Sequence, residues 1–325
     1  MTRLLLVLLA ALCAAPAALA DGIAPFATQG GPGVVTPDGS ARFVALTAGT
    51  GTTVAKIDSD GAVVNSTAIP GAFGVAVPTY AGGGEGLSAD GKTLVLADVV
   101  RSWPHVHSSF VVLDPKSLRL RNRITLRGDF AFDALSPDGS RLYVIQHTNS
   151  ADTTRYVVRA IDVSSMRLLP GRIADRTQKS WIMQGYPLRR VTSPDGRWVY
   201  TLYGNQANVP FVHALDTQRG IAHCIGLPLR GGDQSNLVLA LHDGGGQLAV
   251  RWLSGRPWLN VDVRTWRLSP AHPRRSAWWI VAPLLALALL LAAAVGRSRA
   301  ARSSVGRWTF ARLVPSSRPP AARRT

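Results

Sequence analysis

The residues best suited to chemistry lie in one segment, Asp98–Ser109, which carries Arg101, Trp103, His105 and His107. The two histidines are two positions apart, so on an extended strand both imidazoles point to the same side and can share a transition metal. No Cys or carboxylate stands next to them to complete a ligand set. Three interpretations stay open: a metal site, a ligand contact and a polar surface loop.

Other polar and aromatic residues stand in the loops that follow this segment along the chain. Together they predict a mouth rich in Arg, His, Asn and Trp, which suits an anionic or carbohydrate-like ligand. The alternative interpretation is that they only solvate and cap the ends of strands. The candidate ligand-binding residues are Arg101, Trp103, His105, His107, His147, Asn149, Asn205, Arg251 and Trp252.

Glu85, the only glutamate, stands in the glycine-rich run Gly82–Gly86. This run lacks the strand–loop–helix setting and the Lys of a phosphate-binding loop, so we interpret it as a flexible linker. Glu85 is a candidate base or metal ligand. No nucleophile elbow or reactive cysteine setting is present, so no catalytic residue is predicted. A metal site would draw on Glu85, His105, His107 and Asp152.

These candidate residues are carried by a sequence repeat with a period near fifty. A short turn phrase of the type Ser-Pro-Asp-Gly recurs, and its Asp residues are separated by 52, 48, 57 and 48 positions. This period is typical of propellers and solenoids, and Pro followed by Asp-Gly predicts a tight reversal between two strands. The copies are Thr36–Gly39, Ser88–Gly91, Ser136–Gly139, Ser193–Gly196 and the decayed copy Leu241–Gly244.

Strand patterns surround each turn. The residues after it alternate as in Arg141–Ile145, and an apolar strand that ends in Asp follows, as in Val157–Asp162. No long amphipathic helix occurs between residues 21 and 270. The pattern therefore predicts an all-β domain with four strands in each unit.

The units resemble those of the bacterial YVTN-type β-propellers, which are relatives of the WD-repeat and lactonase-type propellers. Leu135–Ile145 and Val158–Val163 match the turn and strand phrases of that family, although the YVTN tetrapeptide itself is absent. The resemblance covers residues 34–269 and implies a propeller of about five four-stranded blades. A six-bladed alternative would build a degenerate blade from Asp21–Pro32 and the chain's end. In the five-bladed form, Asp21–Gly33 would close the last blade.

The same resemblance implies where function lies. The loops between the second and third strands of the blades share one face, and the Pro-Asp-Gly turns lie on the other. The turns are then scaffold, and function belongs to the variable loops. Because related propellers coordinate a divalent cation in the channel, a lactonase-like or metal-dependent hydrolase is the alternative activity.

Two apolar segments outside the repeat predict export and anchoring. Residues 1–20 combine Arg3, the apolar run Leu4–Leu12 and Ala18–Ala20, as a cleaved secretory signal does. Residues 277–295 carry no charge and would span about 28 Å as a transmembrane helix. Eight Arg and no acid follow in 297–325, so the positive-inside rule places this side in the cytoplasm. We therefore predict an exported domain over 21–272 and a basic, disordered tail over 296–325 that is drawn to anionic lipids.

Composition limits the remaining function classes. The chain has 325 residues, 46% of them hydrophobic and 17% charged, which excludes a disordered chain and a multispanning membrane protein. The net charge is +17, but residues 21–276 hold 27 basic and 19 acidic residues, so the charge does not indicate nucleic-acid binding. Cys224 is the only cysteine beyond the signal segment and is expected to be a buried small hydrophobe.

The sequence thus predicts a single-pass protein of a bacterial cell membrane whose extracellular propeller binds a protein or a wall polymer without catalysis and without a cofactor. The alternative is the hydrolase with its site in the channel, which would require a divalent metal. A copper-handling role through His105 and His107 is a third interpretation.

Overall fold

The computed structural model describes residues 27–28, 30–99, 105–177 and 183–271, with the single positions 286, 288 and 290. The chain divides into two compact units, Met1–His272 and Pro273–Thr325, and every strand lies in the first. The predicted signal (1–20) and tail (296–325) fall outside the described residues, as does all of 277–295 except the three single positions. Within the described ranges, no helix has the length and hydropathy needed to cross a membrane.

Five antiparallel sheets follow one another along the chain, and we number them as blades 1 to 5. Blade 1 consists of β2 (Val34–Val35), β3 (Ala41–Ala48), β4 (Gly51–Asp58) and β5 (Val63–Pro70). Blade 2 consists of β6 (Phe73–Ala76), β7 (Leu94–Asp98), β8 (His107–Leu113) and β9 (Leu120–Arg127), with β1 (Ala27–Thr28) at its inner edge.

Blade 3 consists of β10 (Phe130–Leu135), β11 (Arg141–His147), β12 (Arg155–Asp162) and β13 (Arg167–Leu168), and β14 (Met183–Gln184) also pairs with β12. Blade 4 consists of β15 (Tyr186–Thr192), β16 (Trp198–Gly204), β17 (Phe211–Asp216) and β18 (Ile221–Gly226). Blade 5 consists of β19 (Leu237–His242), β20 (Gln247–Trp252), β21 (Pro257–Asp262) and β22 (Leu268–Pro270). Short 3₁₀ turns occupy Gln234–Asn236 and Asp243–Gly245.

The repeated turn joins the first and second strands of each blade, as predicted. In blade 3, the Ser136 hydroxyl donates to Asp138 Oδ1 over 2.6 Å, and the same oxygen accepts the Ser140 N–H over 3.0 Å. Gly139 has a φ of 69°, the left-handed conformation that glycine adopts without strain. The turns also meet across blades, since the Asp90 N–H donates to the Pro137 carbonyl over 3.0 Å.

The Asp that ends the third strand of each blade caps the turn that follows it. Asp162 Oδ1 accepts the hydroxyl of Ser164 over 2.7 Å and the N–H of Ser165 over 2.7 Å. These hydrogen bonds, with the Ser164 hydroxyl as the largest contribution, lower the pKa of Asp162 to about 2. The repeated apolar strand that ends in Asp therefore marks a turn and not a catalytic site.

Apolar side chains on alternate strand positions pack neighbouring blades together. Four buried clusters join blades 1 and 2, 2 and 3, 3 and 4, and 4 and 5, as a propeller requires. Their centres include Phe43, Phe110, Tyr143 and Leu202, each at most 1% exposed. The five blades, their four strands and their turns confirm the predicted all-β propeller. None of these clusters of described residues joins blade 5 to blade 1.

Two predictions about connections are wrong. Ala27 and Thr28 pair with Ala76 and Val75 of blade 2, and so do not close the last blade. Ala27 packs there against the cluster of blades 2 and 3, which gives this edge an apolar contact.

The glycine-rich run is not a linker between blades. The Glu85 N–H donates to the Ala76 carbonyl over 2.8 Å, so the inner strand of blade 2 leaves at Ala76 and resumes at Glu85. We call the intervening residues 77–84 the excursion. Glycine is needed where it returns, because a Cβ on Gly84 would lie 2.5 Å from the Gly33 carbonyl oxygen.

Candidate functional site

The excursion crosses from blade 2 to blade 4. The N–H groups of Tyr80 and Ala81 donate to the carbonyls of Pro187 and Leu188, each over 3.0 Å. The rings of Tyr80 and Tyr186 meet edge to face with centroids 6.0 Å apart. These contacts join two blades that are not neighbours in the chain.

Beneath the excursion, a buried arginine joins three blades. Arg190 Nη1 lies 3.1 Å from Glu85 Oε2 of blade 2, and Nη2 lies 2.6 Å from Asp133 Oδ1 of blade 3. The Arg190 and Asp133 side chains are 4% and 2% exposed. Burial alone would lower the pKa of Arg190, but the two carboxylates raise it, so the guanidinium stays charged.

Glu85 is therefore held as the ion-pair partner of Arg190. Burial raises the pKa of Glu85, and the Arg190 charge opposes that rise. Arg190 Nη2 also donates to Thr201 Oγ1 of blade 4 over 3.1 Å. The cluster therefore links blades 2, 3 and 4 through largely buried polar contacts.

A cavity of about 1050 Å³ opens among the loops that surround the excursion. Its walls come from the excursion, from the loop between the second and third strands of blade 3, from the entry to blade 4, and from the corresponding loop of blade 4. The lining residues fall within 77–80, 131–132, 145–147, 151–156, 184–188 and 205–207.

Aromatic and apolar side chains form much of the wall. Tyr80 is 43% exposed, and the Tyr186 hydroxyl accepts a hydrogen bond from Gln234 Nε2 over 2.9 Å. Phe132 and Ile145 also border the cavity and are almost fully buried. Tyr80 and Tyr186 thus present amphipathic ring surfaces to whatever occupies the cavity.

Tyr156 is the most deeply buried of the lining tyrosines. It is 2% exposed, and its ring stacks on that of Tyr203 with centroids 5.5 Å apart. Its hydroxyl lies next to the hydroxyl of Tyr203 and interacts with it. Burial raises the pKa of Tyr156, so the hydroxyl stays protonated and can donate.

The polar lining residues are mostly committed to loop structure. Asp152 Oδ1 accepts the N–H and the hydroxyl of Thr154 over 3.1 and 2.5 Å. Asn205 exchanges hydrogen bonds with the backbone of Val209 over 2.8 and 3.0 Å. Asp152 is the one carboxylate, and no Arg or Lys occurs, among the described lining residues. Of the predicted mouth of Arg, His, Asn and Trp, the described lining includes His147 and Asn205, whereas Arg101 and Trp103 lie outside the described residues.

Two histidines share one carboxylate at the edge of the cavity. Asp129 Oδ1 lies 3.0 Å from His105 Nδ1, and Oδ2 lies 2.7 Å from His147 Nδ1. All three side chains are at most 9% exposed, and His147 lines the cavity. Burial lowers the pKa of His105, against the attraction of the Asp129 charge. A carboxylate at Nδ1 places the proton of a neutral imidazole on that nitrogen.

The structure divides the sequence-predicted site residues into three groups. His147, Asn205 and Asp152 line the cavity, and His105 reaches its edge through Asp129. The others lie elsewhere or outside the described residues. His107 is exposed at the start of β8, and Asn149 accepts the Ala151 N–H within its own loop. In blade 5, Arg251 is exposed on β20 and Trp252 packs near Trp258. Arg101 and Trp103 are not among the described residues.

The predicted metal set stays a prediction. Glu85 is paired with Arg190 and His105 with Asp129. Across the described ranges, no three His, Cys, Asp or Glu side chains form a group that could hold a metal.

Cys224 is half-buried on β18 and lies beside polar groups, which differs from the predicted apolar burial. Its Sγ is 3.6 Å from His213 Nδ1, and its N–H donates to Asp175 Oδ2 over 2.9 Å. Burial raises the pKa of the Cys224 thiol to about 12. The thiol is therefore protonated at neutral pH and is not a nucleophile.

Several central residues escaped the sequence analysis. Asp133 interrupts the apolar strand Phe130–Leu135, and a charge inside a buried strand could have indicated an ion pair. Arg190, Asp129 and Tyr156 carry no comparable signal, because each acquires its role from a partner that is distant in the sequence.

No protein-family model and no curated protein sequence matches the chain. Among solved structures, the chain is similar to TolB from Acinetobacter baumannii. The two share 15% sequence identity with a TM-score of 0.39, and the match covers 72% of this chain and 54% of that chain. It thus spans about half the length of that structure. The chain is also similar to the Kuenenia stuttgartiensis hydrazine synthase, with 17% sequence identity and a TM-score of 0.39, and the match covers 76% of this chain and 79% of that chain. The Cps50 (Swd1) β-propeller domain of Myceliophteria thermophila has 11% identity, 70% and 64% coverage and a TM-score of 0.42.

Proposed function

We propose that the chain is an exported, membrane-anchored β-propeller that binds an envelope ligand in the cavity between blades 2, 3 and 4. The observation that carries this proposal is a cavity of about 1050 Å³ whose walls are held by the excursion and the Arg190 ion pairs. A preformed, rigid site loses little conformational entropy on binding. The site therefore suits recognition without rearrangement.

A segment of a wall polymer is the envelope component that we favour over a folded protein. Stable protein interfaces bury broad, nearly flat surfaces. Concave cavities of several hundred Å³ instead enclose small molecules or short polymer segments. The cavity lies at the upper end of that size range, which leaves room for several rings of a polymer.

Co-sedimentation of the purified full chain with isolated cell-wall sacculi tests this function. Ala151 is exposed and borders the cavity, so Ala151→Trp places a bulky ring at the mouth. Ala48 is exposed in blade 1 and outside the cavity, so Ala48→Trp is the matched control. We expect the wild type and Ala48→Trp to sediment with the sacculi and Ala151→Trp to stay in the supernatant. Equal sedimentation of the two variants, or none by the wild type, would overturn the proposal.

The proposed topology places the propeller outside and the arginine-rich tail inside. It rests on the signal-like residues 1–20, the uncharged segment 277–295 and the eight Arg after it. We expect the chain to resist alkaline extraction from membranes and a chain truncated after residue 272 to be released. Protease added outside intact spheroplasts should degrade the propeller only. Release of the full chain by alkali would refute the anchor.

A lactonase-like hydrolase is the second candidate, favoured by the pairing of His147 with Asp129 beside the cavity. An imidazole oriented by a carboxylate is typical of a general base. His147 would accept a proton from water as the water oxygen attacks the ester carbonyl carbon. It would return that proton to the alkoxide when the carbon–oxygen bond breaks. Lactone hydrolysis by the wild type and its loss in His147→Gln would favour this candidate, and inactivity of the wild type would exclude it.

A further inference from the structure

We infer that the loop between the second and third strands of blade 5 is a membrane-contact surface that binds anionic phospholipid headgroups. We call residues 251–258, which include the adjoining ends of β20 and β21, the blade 5 loop. The inference rests on the membrane anchor of the proposed function and adds the surface by which the propeller meets the bilayer. The blade 5 loop is not part of the cavity lining.

The blade 5 loop presents apolar side chains on a fixed turn. The Trp252 N–H donates to the Arg256 carbonyl over 2.9 Å. The Leu253 N–H donates to the Asn236 carbonyl over 2.6 Å, yet the Leu253 side chain is 58% exposed. Trp252 and Trp258 are half-buried, with ring centroids 6.0 Å apart. An exposed leucine beside two amphipathic indole rings is typical of surfaces that lie at a membrane interface.

The charge around this turn is positive. Arg251 and Arg256 are exposed in the blade 5 loop, which contains no acid. Arg230 is exposed in the connection 227–236, to which the loop is hydrogen-bonded, and Asp233 is the one acid of that connection. Basic side chains close to a bilayer are attracted by anionic headgroups. The charge of an anionic lipid surface therefore complements that of the loop.

The chain leaves the propeller beside the blade 5 loop. Because β22 is antiparallel to β21, it finishes at the same end of the blade as this loop, and the Ala271 N–H donates to the Trp258 carbonyl over 3.0 Å. The uncharged segment 277–295 begins six residues later. Six extended residues reach at most about 20 Å. An anchor in 277–295 would thus hold the blade 5 loop close to the bilayer, which makes lipid the partner that this surface meets.

Photocrosslinking of the full chain in phosphatidylglycerol nanodiscs tests the inference. The photoreactive residue p-benzoylphenylalanine replaces Leu253 or, as the matched control, Arg264, which is exposed at the opposite end of blade 5. We expect a phospholipid adduct from position 253 and none from position 264. Nanodiscs of phosphatidylcholine alone should give less adduct.

The arginines are tested in the chain that carries the probe at position 253. The double variant Arg251→Gln, Arg256→Gln should lower the adduct yield at least about fivefold, because each arginine adds to the attraction by anionic lipid. The double variant Arg264→Gln, Arg267→Gln removes the same charge at the opposite end of the blade and should leave the yield unchanged.

The outcomes separate the inference from the proposed function. Equal adduct yields at positions 253 and 264 would overturn the contact, as would an unchanged yield in Arg251→Gln, Arg256→Gln or equal yields in the two lipids. In each case, resistance of the full chain to alkaline extraction would still support the anchor, and loss of sedimentation in Ala151→Trp would still support binding in the cavity. A full chain that does not incorporate into nanodiscs would overturn the anchor and the contact together.

Discussion

The turn face and the loop face of the propeller use charged residues in opposite ways. On the turn face, Asp38 accepts hydrogen bonds from the hydroxyl of Thr36 and from Ser40, and these lower its pKa to about 2. Nearer the cavity, the Asp133 and Arg190 side chains are almost completely buried and form an ion pair across two blades. The first arrangement is local and exposed, whereas the second is long-range and buried.

This difference shows which polar residues can be exchanged without harm to the fold. A turn Asp bonds to residues within a few positions, so its loss affects one reversal. Arg190 bonds to Glu85 and Asp133, which lie 105 and 57 positions away, so its loss affects three blades.

The largest effect is expected at Arg190. Arg190→Met leaves the carboxylates of Glu85 and Asp133 without a cation, and breaking a buried ion pair from one side costs about 3–5 kcal/mol. We expect urea unfolding of the full chain to show a loss of that size.

The triple variant Glu85→Gln, Asp133→Asn, Arg190→Met tests the cause, because it removes both uncompensated charges. It should be more stable than Arg190→Met, since an unpaired buried amide costs less than an unpaired buried charge. A loss below about 1 kcal/mol in Arg190→Met, or no recovery in the triple variant, would contradict a buried ion pair.

A smaller effect is expected from acid at His213, which is 1% exposed between blades 3 and 4. Burial lowers its pKa from 6.5 to about 4, so the folded state favours the neutral ring. The stabilising contribution is complete above pH 6.5 and is lost as the pH falls toward 4. At the lower limit the loss is about 3 kcal/mol.

The free energy of unfolding in urea is measured at pH 7 and pH 4 for the wild type and for His213→Gln. The contribution of His213 is the difference between the two proteins in how far that free energy falls between the two pH values. The exposed His242→Gln is the matched control and should follow the wild type. An identical pH dependence of the His213 variant and the wild type would show that another group is responsible. The turn aspartates Asp38 and Asp162, whose pKa is lowered from 3.8 to about 2, also lose stabilisation as the pH falls, but they are present in the wild type and in both variants, so their contribution cancels in the comparison.

The smallest effect is expected in the turns. Asp138→Ala removes the carboxylate that accepts hydrogen bonds from Ser136 and Ser140, and should lower the free energy of unfolding by about 1 kcal/mol.

In the decayed fifth copy of the turn, Asp243 has a φ of 54°, so Asp243→Gly relieves a left-handed backbone and should be neutral or slightly stabilising. Thermal unfolding compares the two, and an equal loss would remove the distinction between intact and decayed turns.

Much of the fold was predictable because its signals are local. The turn residues, the alternation of strands such as Arg141–His147 and the capping Asp at each third strand all act within a few positions. The candidate site was predicted only in part: His147, Asn205 and Asp152 were named, but Tyr80, Asp129 and Tyr156 were not. The excursion was missed because nothing in Gly82–Gly86 indicates a contact with Pro187 and Leu188.

The all-β class, the five units and the turns follow from local patterns in the sequence, because hydrogen bonds between near neighbours and a two-residue side-chain period set these features. The pairing of Glu85 with Arg190, the pairing of Asp129 with His105 and His147, and the cavity beside the excursion emerge only in the folded chain. Each of these contacts joins residues from different strands or loops, and in most cases from different blades. The attraction between these paired groups is strong only in a buried setting, which exists only once the blades have packed around them.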